Sequence, residues 1–125
     1  MGNPLDYAAP LWGQEETLKH VFSAALAPGY DAALLVQDYP PIEIGEDRPY
    51  YQADARAFIQ ATQNAGIPAA VCYSLPENLD YETQATLINN GIAPLQGISE
   101  ATVAISASAV FGQVNKKLQS GSDPF

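Results

Sequence analysis

Apolar residues recur along the chain at helical spacing in some stretches and as short unbroken runs in others. Leu18, Val21, Phe22, Ala25 and Leu26 stand at the i, i+3, i+4, i+7 and i+8 positions of one helix face, which predicts an amphipathic helix from Gln14 to Ala27. Glu15 and Glu16 complement its positive start, and Pro28-Gly29 stop it. Asp31 to Gln37 then encloses the run Ala32-Ala33-Leu34-Leu35-Val36, short and continuously apolar, which predicts a central parallel strand buried on both faces.

Asp38 to Pro49 holds three prolines, one glycine and four acidic residues, a mixture that predicts a surface loop. Tyr51, Ala55, Phe58, Ile59 and Thr62 return to helical period, Gly66 closes that helix, and Ile67 to Tyr73 reads as a second buried strand. Asp80 is placed to cap a helix carrying Tyr81, Ala85 and Ile88, Gly91 to end it, and Ile92 to Leu95 to form a third strand. After Ser99 a last helix carries the stripe Val103, Ala107, Val110, Phe111, Val114 and Leu118, with Lys116 and Lys117 near its negative end. The reading is one domain over residues 1–118 and a flexible tail over 119–125.

Strands that alternate with helices imply right-handed crossovers and a parallel sheet covered on both faces. The expected fold class is therefore α/β, three-layered and flavodoxin-like. Ligands of such sheets gather at the carboxyl ends of strands, which directs attention to Gln37-Asp38-Tyr39-Pro40 and to Ser74-Leu75-Pro76-Glu77.

Composition narrows the function classes. With 125 residues, 47% of them hydrophobic, the chain suits one modest core. Fourteen acidic residues against five basic ones give a net charge of -9, which argues against nucleic acid and anionic membrane as partners. The carboxylates are scattered singly or in pairs, as a solvated surface would have them. No run approaches the roughly 18 apolar residues of a membrane helix. The amino terminus lacks a signal-peptide layout, and Asp6 stands where a myristoylation signal wants Ser or Thr, so the expected location is cytoplasmic.

Reactive residues are scarce. The single cysteine, Cys72, lies inside an apolar run and reads as a buried, inert thiol in a reducing compartment. The single histidine, His20, sits off the apolar face of its helix and reads as exposed filler. One His and one Cys cannot furnish a zinc site, and no G-x-S-x-G elbow or glycine-rich phosphate loop is present. The turn from Asn3 to Gly13 precedes a helix start whose backbone N–H groups could hold a phosphate or carboxylate.

Four segments carry a family resemblance: Asn3-Pro4-Leu5-Asp6 ahead of the first helix, Tyr30-Asp31-Ala32-Ala33-Leu34-Leu35-Val36 leading to a loop, Gly66-Ile67-Pro68-Ala69-Ala70-Val71, and Gly91-Ile92-Ala93-Pro94 before the last helix. In order and spacing, from about Asn3 to Leu118, they resemble the CoA-ligase domain of NDP-forming acyl-CoA synthetases, the group that includes ADP-forming acetyl-CoA synthetases and succinyl-CoA synthetase. The resemblance implies a part in the conversion of an acid, CoA and ATP or GTP into acyl-CoA, NDP and phosphate, by way of an acyl-phosphate and a phosphorylated histidine.

In that family the turn at Tyr7 to Gly13 borders the phosphohistidine and the loop at Gln37 to Pro41 borders the acyl substrate. The residues so implied, with Ser74 added from the second strand end, are Asp6, Tyr7, Ala8, Ala9, Gly13, Gln37, Asp38, Tyr39 and Ser74. They border a site and supply no catalytic group. No segment matches the phosphohistidine, the CoA-binding Rossmann domain or the ATP-grasp domains, so CoA, ATP or GTP and Mg would be bound elsewhere in the synthetase and the isolated chain would be inactive. The family domain also begins with a further strand and helix. That predicts a fragment whose first dozen residues, including a strand at Pro4 to Asp6, are loose or paired with a second copy of the chain. The competing reading is a free-standing flavodoxin-like binding or interaction module. A phospho-receiver domain lacks its acidic pair and its lysine here.

Overall fold

Three short strands and four helices alternate along the chain in the computed structural model, which describes residues 3–40, 47–75, 78 and 80–121. The order is α1 (Glu15–Leu26), β1 (Ala33–Val36), α2 (Arg48–Ala65), β2 (Ala69–Tyr73), α3 (Tyr81–Asn89), β3 (Ala93–Gln96) and α4 (Ile98–Ser120). The strands form one parallel sheet in the order β1-β2-β3. The fold is α/β and flavodoxin-like, a parallel sheet flanked by helices.

Register fixes which side chains share a face. Leu35 lies beside Val71, and Val36 beside Cys72. Alternate residues point to opposite faces, so Leu35, Val71 and Tyr73 face one way while Leu34, Ala70, Cys72 and Leu95 face the other. The first face carries the core, where Leu18 and Phe22 of α1, Ala57, Phe58 and Ala61 of α2, and Leu87 of α3 are all buried. Phe22 stands edge-on to Phe58 at 5.8 Å. Alanines on the buried side of α2 leave room for α1 to approach, and each large side chain buried there contributes roughly 1.5–3 kcal/mol.

Local signals set the element ends. Asp80 caps α3 by accepting from the Thr83 N–H at 2.9 Å. Gly66 and Gly91 adopt the left-handed conformation just past α2 and α3. Helix α2 begins at Arg48, inside the stretch expected as loop, because Pro49 falls in the first turn, where a missing N–H is no loss. Residues 41–46 of that expected loop lie outside the described residues.

Two expectations are corrected. Pro4 to Asp6 form no strand, and the segment around them is not loose: Leu5 and Tyr7 pack on the core, and the Tyr7 ring meets Phe22 edge-on at 5.4 Å. Side-chain anchoring holds the segment where a ladder was expected. The last helix also continues beyond Leu118 to Ser120, closed by Gly121, and residues 122–125 lie outside the described residues.

Helix α4 packs against β2 and β3 on the second face of the sheet, yet Ala101 is its one buried residue. A helix of 23 residues is about 34 Å long, whereas strands of 4–5 residues reach only about 15 Å, so most of α4 runs past the sheet.

Candidate functional site

The turn before α1 is built by side chains that answer its backbone. Asp6 Oδ1 accepts the Ala8 N–H at 3.0 Å, closing an Asx-type turn. Ala8 sits at φ 59°, ψ 153°, a region that costs a residue with a Cβ about 1–3 kcal/mol and glycine almost nothing. Pro10 then starts a 3-10 turn over Ala9–Leu11. Gly13 at φ 76° ends the segment, and a Cβ there would strike the ring of Tyr50. Replacing Ala8 with glycine is expected to raise stability by about 1 kcal/mol, the relieved strain exceeding the roughly 0.5–1 kcal/mol entropic penalty of glycine. Urea unfolding measures it, and a loss of stability would mean the backbone relaxes without help.

Helix α2 holds this turn in place through Asp54, a carboxylate buried within an alanine-rich face. Its two oxygens accept the Gly13 N–H at 2.8 Å and the Tyr7 O–H at 3.0 Å. Burial raises its pKa above the ordinary aspartate value, and the two donors offset only part of that rise. Burial, with the charge of Asp54 second, pushes the Tyr7 phenol well above the usual tyrosine range. Trp12 packs against Tyr50 at 5.2 Å and edge-on to Tyr51 at 4.9 Å, so the turn is clamped by aromatic as well as polar contacts.

The opposite wall is the carboxyl end of β1. Gln37 is 5% exposed, and its Nε2 donates to the Tyr51 carbonyl at 3.1 Å. Its Oε1 is buried with no hydrogen-bond partner among the described residues, as is the Tyr73 hydroxyl. Asp38 reaches across to the end of β2, where Oδ1 accepts the Ser74 N–H at 2.9 Å and Oδ2 accepts the Ser74 hydroxyl.

Between the two walls lies a cavity of about 330 Å³ lined by Asp6, Tyr7, Ala8, Ala9, Trp12, Val36, Gln37, Asp38 and Tyr51. Six of the nine residues expected from the sequence thus meet in one place. Of the other three, Ser74 sits one strand over, bound to Asp38, and Gly13 backs the turn through Asp54. Tyr39 turns inward at 2% exposure, with its ring 5.4 Å from that of Tyr51, 5.7 Å from that of Tyr73 and 5.4 Å from the Arg48 guanidinium. Burial carries its phenol to about 12. Pro41, Pro76 and Glu77, which belong to the same strand-end segments, lie outside the described residues.

Asp54 was not expected at the site from the sequence, and Trp12 and Tyr51 fell within expected segments without being singled out. A lone carboxylate in the run Ala53-Asp54-Ala55 on a helix with an apolar face was the available signal for Asp54. The aromatic pair declares itself only when α2 and the turn meet.

Chemically the cavity offers carboxylates, a carboxamide and phenols that stay protonated at neutral pH. Such a set binds and orients, and it holds no imidazole or thiol. His20 is exposed on α1 with Nδ1 2.7 Å from the Glu16 carbonyl, and Cys72 is fully buried in β2 with its pKa raised by burial. Among the described residues no group of three or more His, Cys, Asp and Glu is placed to hold a metal, and no helix is long and apolar enough to cross a membrane. A second, larger cavity of about 440 Å³ runs along the outer edge of β1 between Leu5, Leu26 and Leu34 and is mainly apolar. No protein-family model, curated protein or solved structure matches the chain.

Proposed function

We propose that this chain is part of an NDP-forming acid-CoA ligase and that its cavity at the end of β1 borders the acyl and phosphohistidine site. One observation supports the reading above others. The Tyr7 turn and the Gln37-Asp38 strand end, about thirty positions apart, are the two segments the family resemblance assigns to that site, and they line the same cavity. A parallel sheet with its ligand-facing loops at the strand ends is the frame such a site needs.

In this reading the chain positions the acid, while activation and thioester formation are carried by other domains. Tyr7, Tyr51 and Gln37 line one side of the cavity, and Asp38 holds the ends of β1 and β2 together. ATP or GTP and Mg are left to the ATP-grasp domain of the synthetase and CoA to its Rossmann domain. Location in the cytoplasm belongs to the same proposal.

The test joins the chain to those domains and measures phosphate release and acyl-CoA formation over a panel of short acids. Tyr51→Ala is expected to lower kcat/KM by about tenfold, a loss typical of a misplaced wall residue, while Tyr81→Ala, at a position 86% exposed, leaves it unchanged. Absence of phosphate release with every acid would sink the ligase reading. It would favour the alternative, a binding or interaction module, to which the exposed apolar side of α4 already lends some weight.

A further inference from the structure

Helix α4 leaves its most apolar side uncovered. Val103 is 68%, Val110 60%, Phe111 67% and Leu118 58% exposed. On the helical wheel these residues fall together, and the middle of their arc lies on the side away from Ala101, which faces the sheet. The sheet is too short to cover them. We infer that α4 is a dimerisation helix, packing antiparallel against α4 of a second copy of this chain. This goes beyond the ligase reading and holds or fails independently of it.

The spacing of the stripe says that a helix covers it. Ala104, Ala107, Phe111, Val114 and Leu118 advance in alternating steps of three and four residues, the narrow seam of a coiled coil. Val103 and Val110 widen it on one side. Such a seam accepts knobs from a facing helix, and a second copy presents a matching one.

Charge says that the partner is the same helix and that it runs the other way. The chain carries a net charge of -9, which opposes self-association over most of its surface. Within α4 the charged residues are Glu100 in the first turn and Lys116 and Lys117 near the end, one acid against two bases. A parallel pair would set Glu100 against Glu100 and the lysines against lysines. An antiparallel pair sets the Glu100 end of each copy against the lysine end of the other and aligns the helix dipoles favourably.

The same register makes steric sense. With Glu100 level with Leu118, next to Lys117, Ala104 comes opposite Val114 and Ala107 opposite Phe111, each contact repeated by the two-fold axis. The small Ala107 beside the crossing point lets the backbones approach.

Sedimentation equilibrium of the chain over a wide concentration range provides the test. A reversible monomer-dimer equilibrium is expected, and Phe111→Glu, a change at an exposed position that leaves the monomer's circular dichroism intact, should abolish the dimer. Glu100→Lys alone, and Lys116→Glu with Lys117→Glu, should each weaken dimerisation by about tenfold. The three reversals combined should restore it. A chain that stays monomeric at every concentration overturns the inference and points to a different cover for the stripe. Dimers indifferent to Phe111→Glu would place the interface elsewhere, and failure of the triple reversal to restore affinity would exclude the antiparallel arrangement.

Discussion

Arg48→Ala is expected to destabilise the fold by about 3 kcal/mol, the low end of the usual loss when one partner of a buried ion pair is removed. Arg48 stands in the first turn of α2 and reaches the cap of α3, where its Nη2 donates to Asp80 Oδ2 at 2.6 Å and to Thr83 Oγ1 at 2.9 Å. The two side chains of the pair are only 13% and 16% exposed, so water replaces little of what is lost. The same guanidinium lies over the Tyr39 ring, 5.4 Å from its centre, so one residue joins α2, α3 and the aromatic cluster beneath the cavity.

The acid limb of stability checks the same interaction independently. Burial alone would raise the Asp80 carboxyl, but hydrogen bonds from the Thr83 hydroxyl, Arg48 and the Thr83 N–H outweigh it and hold the pKa below the ordinary aspartate value. A folded pKa below the unfolded one contributes stability that is present above the unfolded pKa and is lost as pH falls through the folded one. Urea unfolding should therefore give a smaller acid-induced loss in Arg48→Ala than in the parent protein. A cost below about 1 kcal/mol with an unchanged acid limb would show that the Thr83 contacts suffice to hold the cap.

Those contacts also illustrate how much of the molecule could be read from its sequence. Asp80 followed three residues later by Thr83 is a local signal, since a cap and its N–H lie within one turn, and so are Gly66 and Gly91. The alternation of apolar runs with helical periods revealed the order of strands and helices because burial on a parallel sheet demands it. What was not local was not legible. Pro4 to Asp6 read as a strand by resemblance, but the segment is held by Tyr7, whose partners Phe22 and Asp54 lie 15 and 47 positions away.

The stripe on α4 was visible as a stripe, but periodicity states that a face is apolar and not what covers it. The cavity divides in the same way. Gln37 and Asp38 were found by the rule that ligands gather at strand ends, and Asp6 to Ala9 by their place before a helix. Trp12 and Tyr51 line it because α2 crosses behind the turn, a packing fact that no single segment records.

Asp54→Ala is expected to cost about 2 kcal/mol at neutral pH and to release the turn that walls the cavity. The carboxylate accepts two hydrogen bonds, each worth about 1.5–3 kcal/mol when the acceptor is charged, and alanine leaves the Gly13 N–H without its partner. Against this, the substitution removes a buried charge whose pKa stands above the ordinary value. A carboxyl of that kind contributes stability that is present below the unfolded pKa and lost as pH rises through the folded one, the opposite sign to Asp80.

The hydrogen bonds exceed the relief, so the net effect is a loss. Asp54→Asn separates the two effects: it keeps an acceptor for Gly13 and carries no charge, so it should lose less stability than alanine and remove that decline with rising pH. Urea unfolding at neutral pH and across the carboxylate range measures both, and limited proteolysis of residues 3–13 reports release of the turn. If alanine and asparagine proved equally stable, with the turn still protected, the aromatic clamp of Trp12 on Tyr50 and Tyr51 would be what holds the wall of the cavity in place.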